Sequence, residues 1–278
     1  MANGSSQSRS LPVALVLYLG NFTRETLAHM GSMWYLLIKA TMWFFRGFVS
    51  RRARVGRVAI VSQIVRIGVK SVFIVSLVSG AIGLILAFQM APPLDQLGQV
   101  ELVPNIIAVA VLRELGPLIA AIVMVGFAGA AIAAEIGTMV VNEEIEALEA
   151  GALNPVRFLV VPRVVATIFS LICLAVIANY VAIFCAALIS KVALGISWVQ
   201  YYNNTVAQVD PRDFLTGIVK AAIFGLLIGL IACGNGLKVT GGAAGVGRAT
   251  TNTVVQSVVA VVMADLIFTV IFFALKLF

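Results

Sequence analysis

Five long stretches of this chain carry almost no charged side chains, and they restrict its fold more than any other feature. They cover residues 72–88, 105–138, 163–190, 214–237 and 253–278. A helix needs ~20 predominantly apolar residues to cross the hydrocarbon core of a bilayer, and each stretch meets or can be extended to that length. Inside a bilayer every backbone N–H and C=O must be satisfied within the protein, which leaves helices or closed barrels. Runs of this length predict helices. The whole chain is 61% hydrophobic and 11% charged, against about 45–50% and 25% for soluble domains, so the apolar excess has to face lipid. The expected fold is an all-α membrane protein: an N-terminal interfacial amphipathic helix, then five transmembrane helices, with a short cytoplasmic helix between spans 2 and 3.

Residues 1–10 read as a disordered polar tail without a cleavable signal. Residues 11–50 are apolar but broken by Arg24, Glu25, His29, Lys39 and Arg46, and they hold Trp34, Tyr35, Trp43, Phe44 and Phe45. Aromatic residues favour the headgroup level, so this region reads as an elbow helix lying in the interface. Arg46, Arg51, Arg52, Arg54, Arg57, Arg66 and Lys70 then follow with no acid among them. Positive flanks stay on the cytoplasmic side, which places the N-terminus inside and, after five spans, the C-terminus outside. The segments 92–104 and 195–213 become outer loops. The net charge of +7 is concentrated beside apolar spans and suits a membrane surface, not nucleic acid. Cys173, Cys185 and Cys233 all sit in apolar runs and read as buried small residues.

Charges inside spans are costly unless paired or facing a cavity. Arg113 and Glu114 in span 2 are adjacent, so they point about 100° apart and do not simply neutralise each other. Two readings stay open: a cavity with Arg113 near an anionic group, or buried charges that tie helices together. Glu135 near the end of span 2 is in reach of Arg163 or of the segment that follows. Asp265 in span 5 reads as a structural counter-charge, and Lys220 lies in the first third of span 4. Gly225 and Gly229 in span 4, and Gly126, Ala130 and Ala134 in span 2, are small-residue rows that allow close helix packing.

Between spans 2 and 3, Asn142 reads as an N-cap, with Glu143 and Glu144 in the first helical turn, where the helix dipole favours acids. Gly151 and Pro155 read as the stop. Ile145 and Leu148 form an apolar edge; Glu144, Glu146 and Glu149 form an acidic one. The segment 242–249 nearly spells a phosphate-binding loop, but Arg248 and Ala249 stand where Lys and Ser or Thr are required, and it follows a membrane helix. The chain is expected to bind no nucleotide, metal or other cofactor, and to be no enzyme by itself.

The motifs Leu112-Arg113-Glu114-Leu115-Gly116-Pro117, Ala134-Glu135-Ile136-Gly137, Glu144-Ile145-Glu146-Ala147-Leu148-Glu149 and Gly241-Gly242-Ala243-Ala244-Gly245-Val246-Gly247-Arg248 closely resemble the MlaE/YrbE family of ABC permeases. With Asn154-Pro155, Pro162-Arg163 and Asp265 they run in register over roughly residues 50–278, so residues 51–278 read as one MlaE-type permease domain. The resemblance implies a permease homodimer in a bacterial inner membrane that moves phospholipid or a related lipid. It implies an MlaF-like ATPase partner carrying ATP and Mg, an MlaD-like MCE-domain protein and, in many systems, an MlaB-like STAS protein. On this reading Glu143, Glu144, Ile145, Glu146, Leu148 and Glu149 couple to the ATPase. Arg113, Glu114, Phe88 and Gln89 line the substrate path, while Glu135, Arg163, Arg248 and Asp265 are structural charges. The family often carries an Arg after the first glycine of its Gly-Arg-Ala-Gly segment; here the segment is Gly126-Phe127-Ala128-Gly129. An ion-coupled transporter using Arg113, Glu114 and Asp265 as a relay, and a membrane scaffold, are the alternatives from other classes.

Overall fold

A computed structural model describes residues 11–49 and 57–275; the expected 1–10 tail lies outside them. All regular structure among the described residues is helical. Helix α1 (Leu11–Val49) is followed by α2 (Arg57–Ile67) and α3 (Val72–Gln96), which are joined by a single 3-10 turn. A segmented span comprises α4 (Val103–Ala110), α5 (Gly116–Met124) and α6 (Ala130–Val141). The short α7 (Glu144–Ala150), then α8 (Val161–Leu194), α9 (Trp198–Gln208), α10 (Pro211–Leu237) and α11 (Gly242–Ala274) complete the chain. Five helical stretches are long and apolar enough to cross a membrane: Val58–Gln96, Val100–Val141, Val156–Leu194, Pro211–Leu237 and Gly242–Ala274. The chain is therefore an all-α integral membrane protein.

Helix α8 is the central pillar, with α3 on one side and α10 on the other; α10 also packs on α6 and α11. Close approach depends on missing side chains. A Cβ at Gly83 of α3 would lie 2.1 Å from the Ala182 carbonyl oxygen of α8, and one at Gly225 of α10 would lie 2.7 Å from the Ile168 Cα. Gly225 and Gly229 are thus used within the chain, both against α8. Gly126, by contrast, has open space around it.

Several predicted boundaries move. Pro92 and Pro93, expected in the first outer loop, lie inside α3. The helix ends only where Gly98 takes φ +66°; there Gly98 N–H donates to Asp95 O and Gln99 N–H to Leu94 O, the paired bonds of a Schellman stop. The outer loop 195–213 contains α9, begun by Ser197, whose hydroxyl accepts from Gln200 N–H. The glycine-rich 242–249 segment, expected as a loop, is the first part of α11. Its alanines are strong helix formers, and Gly245 lets the helix back onto the Thr240 carbonyl, where a Cβ would sit 2.0 Å from that oxygen.

The connection between the second and third spans is also corrected. Asn142 closes α6 and does not cap α7; the N-cap is Glu143, in a left-handed conformation with φ 59°. Glu143 is therefore outside the first turn, which holds Glu144 and Glu146. The left-handed stop is Ala152 (φ 56°), not Gly151. Ala152 N–H donates to Glu149 O and Leu153 N–H to Leu148 O. Asn154 opens the next span by accepting from the backbone N–H of Val156 and Arg157 through its side chain.

Candidate functional site: a charge network beside an open membrane cavity

The second span is not a uniform helix. Residues Val111–Leu115 and Val125–Gly129 form π-helical turns, and a third occupies Val156–Val160. A π turn inserts one extra residue, rotates the side chains after it, and is common at functional sites. The first carries Arg113 and Glu114; the second carries Phe127, which is exposed.

Both charges turn toward α10, each to a different partner. Arg113 Nε donates to Asp213 Oδ1 at 2.6 Å. The other oxygen of Asp213 accepts from the Asp210 N–H at 3.1 Å, completing the capping box that starts α10. Lys220, one of the largest fully buried side chains of the protein, donates to Glu114 Oε2 at 2.5 Å, Asp265 Oδ1 at 2.9 Å and Thr269 Oγ1 at 3.0 Å. Three ammonium protons meet three acceptors. Thr269 closes the ring by donating to Glu114 Oε1 at 3.0 Å. Lys220 lies nine residues after Pro211, about 14 Å into the span at 1.5 Å per residue. At that depth a charge persists only with compensation of this kind.

Glu114 and Arg113 also border an open cavity of about 580 Å³, together with Leu102, Ile106, Val109 and Gln208. Arg113 and Glu114 therefore both tie helices together and face a space. Phe88 and Gln89 do not line it: they are exposed on α3, away from this lining. A turn register of 100° places their neighbour Ala87 in the core and leaves them outside. Asp265 pairs with Lys220 and not with Arg113. A relay of Arg113, Glu114 and Asp265 is thus divided into two separate bridges in this structure.

A second network holds the opposite end of the second span. Glu135 accepts from Arg163 of α8 at 3.2 Å and pairs with Arg66 of α2 at 2.5 Å. Arg163 is buried, whereas the Arg66 side chain is 55% exposed. Removing the carboxylate strands a buried guanidinium, so Glu135→Ala is expected to cost ~3–5 kcal/mol. Arg66→Ala removes an exposed partner and is expected to cost less than ~1 kcal/mol. Thermal unfolding of the two variants in detergent measures the difference. Arg248 is exposed on α11 and makes no ion pair among the described residues. Its expected role as a structural charge finds no carboxylate there; its guanidinium instead lies over Gly241.

On α7, Glu144, Glu146 and Glu149 are exposed, and Leu148 is half-buried. Ile145 packs against the chain's own main core. The apolar edge thus anchors the helix, and the acids point outward. Among the described residues no His, Cys, Asp and Glu cluster suited to a metal occurs. The site residues missed by sequence reading are Asp213 and Thr269. Asp213 had a signal in Asp210-Pro211-Arg212-Asp213, where an acid at the third helical position follows an Asp cap and a Pro. Thr269 had none.

A family model described as Permease MlaE matches residues 60–271. The chain belongs to the MlaE permease family. A probable ABC transporter permease protein of Rickettsia prowazekii is 33% identical over 77% of this chain and 83% of its own length. One from Synechocystis is 31% identical over 85% of this chain and 91% of its own. The chloroplastic protein TRIGALACTOSYLDIACYLGLYCEROL 1 of Arabidopsis thaliana is 35% identical over 76% of this chain and 60% of its own. The matched stretch holds both networks: Arg113 and Glu114 at the cavity, and Glu135 and Arg163 at the far end, where the acidic helix α7 follows α6.

Proposed function

We propose that this MlaE-family permease moves phospholipid or a related lipid through the cavity beside Arg113 and Glu114, with ATP hydrolysed on a separate subunit. The carrying observation is that cavity: apolar along Leu102, Ile106 and Val109, and charged where Arg113 and Glu114 reach it. An amphiphile has the matching halves. The plant relative's name, that of a galactosyl diacylglycerol, supports a lipid cargo. The family supports an ATPase partner, MlaF-like, with MlaD-like MCE and MlaB-like STAS proteins beside it. The basic residues between α1 and α3 support a cytoplasmic N-terminus in a bacterial inner membrane.

Helix α11 is the least covered of the spans, with 17% of its apolar window buried against 33–56% elsewhere. A second copy seated there gives the homodimer. The exposed acids of α7 then take the ATPase, and force on α7 reaches the cavity through α6. The test pairs this chain with its ATPase. Glu144→Lys with Glu149→Lys reverses the outward charge and is expected to weaken co-purification at least about tenfold, the equivalent of ~1.4 kcal/mol. Ile145→Ala is expected instead to lower the melting temperature of the isolated chain. Retained association in the charge-reversed variant removes α7 as the coupling surface. ATP-independent lipid movement by the isolated chain under a proton gradient overturns the whole reading in favour of an ion-coupled transporter.

A further inference from the structure

The charged side chains beside the cavity do not balance. Arg113 and Lys220 supply two positive charges, whereas Asp213, Glu114 and Asp265 supply three negative ones. The count is the same whichever group pairs with which. Asp210 and Arg212, both exposed at the start of α10, are one of each sign and leave it unchanged. One unit of negative charge therefore remains next to an apolar space in a membrane span, where it calls for a compensating cation.

The deficit can be met at Glu114. Lys220 divides its ammonium between Glu114 Oε2 at 2.5 Å and Asp265 Oδ1 at 2.9 Å. Thr269 has a single hydroxyl proton and two acceptors for it: Glu114 Oε1 at 3.0 Å and the backbone oxygen of Asp265 at 2.9 Å. Glu114 Oε1 thus shares its donor with a carbonyl. A carboxylate has about four acceptor positions, so Glu114 keeps capacity for a further donor. Its side chain is 31% exposed, and the space it borders is the cavity. Asp265 is more deeply covered and does not border the cavity. A donor arriving from the cavity therefore meets Glu114.

We propose that the cavity takes a lipid whose headgroup carries a primary ammonium, a phosphatidylethanolamine, with an ammonium N–H donating to Glu114. The cation cancels the excess charge, and its N–H supplies the donor that Glu114 shares at Oε1. A hydrogen bond between two ionised groups is of the stronger kind. The acyl side of the molecule lies along Leu102, Ile106 and Val109. A choline headgroup has the charge but no N–H. A phosphatidylglycerol brings a negative charge to a site that already has one too many. The inference rests on the reading of this cavity as the lipid path, and it narrows the cargo to a zwitterion with a primary amine.

The test uses the full chain in nanodiscs of phosphatidylethanolamine, phosphatidylcholine and phosphatidylglycerol in equal amounts, and native mass spectrometry counts the lipids retained. Wild type is expected to prefer phosphatidylethanolamine over each of the others by roughly tenfold, the scale of one hydrogen bond to a charged group. Glu114→Gln is expected to remove that preference. It leaves two cations and two carboxylates, with Lys220 still on Asp265, so its melting temperature should stay near that of wild type. Asp265→Asn removes the same charge from outside the lining and is expected to lower the preference as well. Ile106→Trp fills the cavity from an exposed position and is expected to reduce the phosphatidylethanolamine retained to the level of the others. Lipid that is lost in Ile106→Trp but shows no headgroup preference in wild type overturns this inference and leaves the transport reading standing; the excess charge is then met by a proton. Equal retention of the ethanolamine and choline lipids, or a preference unchanged in both carboxylate variants, overturns it in the same way. No lipid sensitive to Ile106→Trp overturns both readings. Displacement of the lipid by free ethanolamine also overturns the inference, because the site is then one for small amines.

Discussion

Replacing Lys220 with methionine is expected to remove most of the folded protein. The side chain is fully buried, and its ammonium holds Glu114, Asp265 and Thr269 at hydrogen-bond distance. Methionine preserves much of the volume and none of the charge. Two carboxylates from different helices then face each other about 14 Å inside a span. Breaking a buried ion pair by removing one partner costs ~3–5 kcal/mol, and here one partner serves two carboxylates. The measurement is the yield of monodisperse protein in detergent and its melting temperature. Adding Glu114→Gln and Asp265→Asn to Lys220→Met removes the stranded charges and is expected to restore most of the loss, because neutral groups of the same shape carry no comparable penalty. A single Lys220→Met variant with wild-type yield and melting temperature would show that the network does not hold the helices together.

The existence of this network was half legible in the sequence. Glu114, Lys220 and Asp265 each stand out as ionisable residues in apolar runs, and such residues seek partners. Their mutual pairing was not legible, because the π turn at Val111–Leu115, α10 and α11 meet only in the folded bundle, and nothing local specifies which faces touch. The π turn at Val111–Leu115 rotates Arg113 and Glu114 away from their regular helical register. No composition or periodicity signals such a turn. The five spans themselves were plain, since length and hydropathy decide them. Their ends were not: Pro92 and Pro93 suggested a loop, but the helix runs on to Gln96 and stops at Gly98, where positive φ is required. The glycines at 241–247 misled in the opposite sense. Glycine there serves close packing as well as turns, and the surrounding alanines carry the helix.

Gly217→Ala is expected to lower transport at least about tenfold while costing less stability than Lys220→Met. Gly217 lies one turn after Asp213 and one turn before Lys220, on the face of α10 that meets the π turn. A Cβ there would sit 2.2 Å from the Leu112 carbonyl oxygen and 3.3 Å from Pro117. The nearer obstacle is backbone, so no rotamer change relieves it; α10 and the second span must separate. Overpacking of this kind typically costs ~1–3 kcal/mol. The displacement falls on the residue just before Arg113 and Glu114, and so lengthens the bridges to Asp213 and Lys220 together. Both bridges shape the charged border of the cavity. Transport is therefore expected to fall at least about tenfold, which ~1.4 kcal/mol at the limiting step suffices to produce. Gly247→Ala is the control: Gly247 is exposed on α11 with nothing within 4 Å of the new atom. Alanine in that helical position gains up to ~1 kcal/mol of helix propensity. Reconstituted transport and melting temperature, measured on both variants, separate the close approach of α10 from the general effect of adding a methyl group. Unchanged transport in Gly217→Ala would mean that the cavity border tolerates separation of these helices, and that Arg113 and Glu114 act as structural bridges alone.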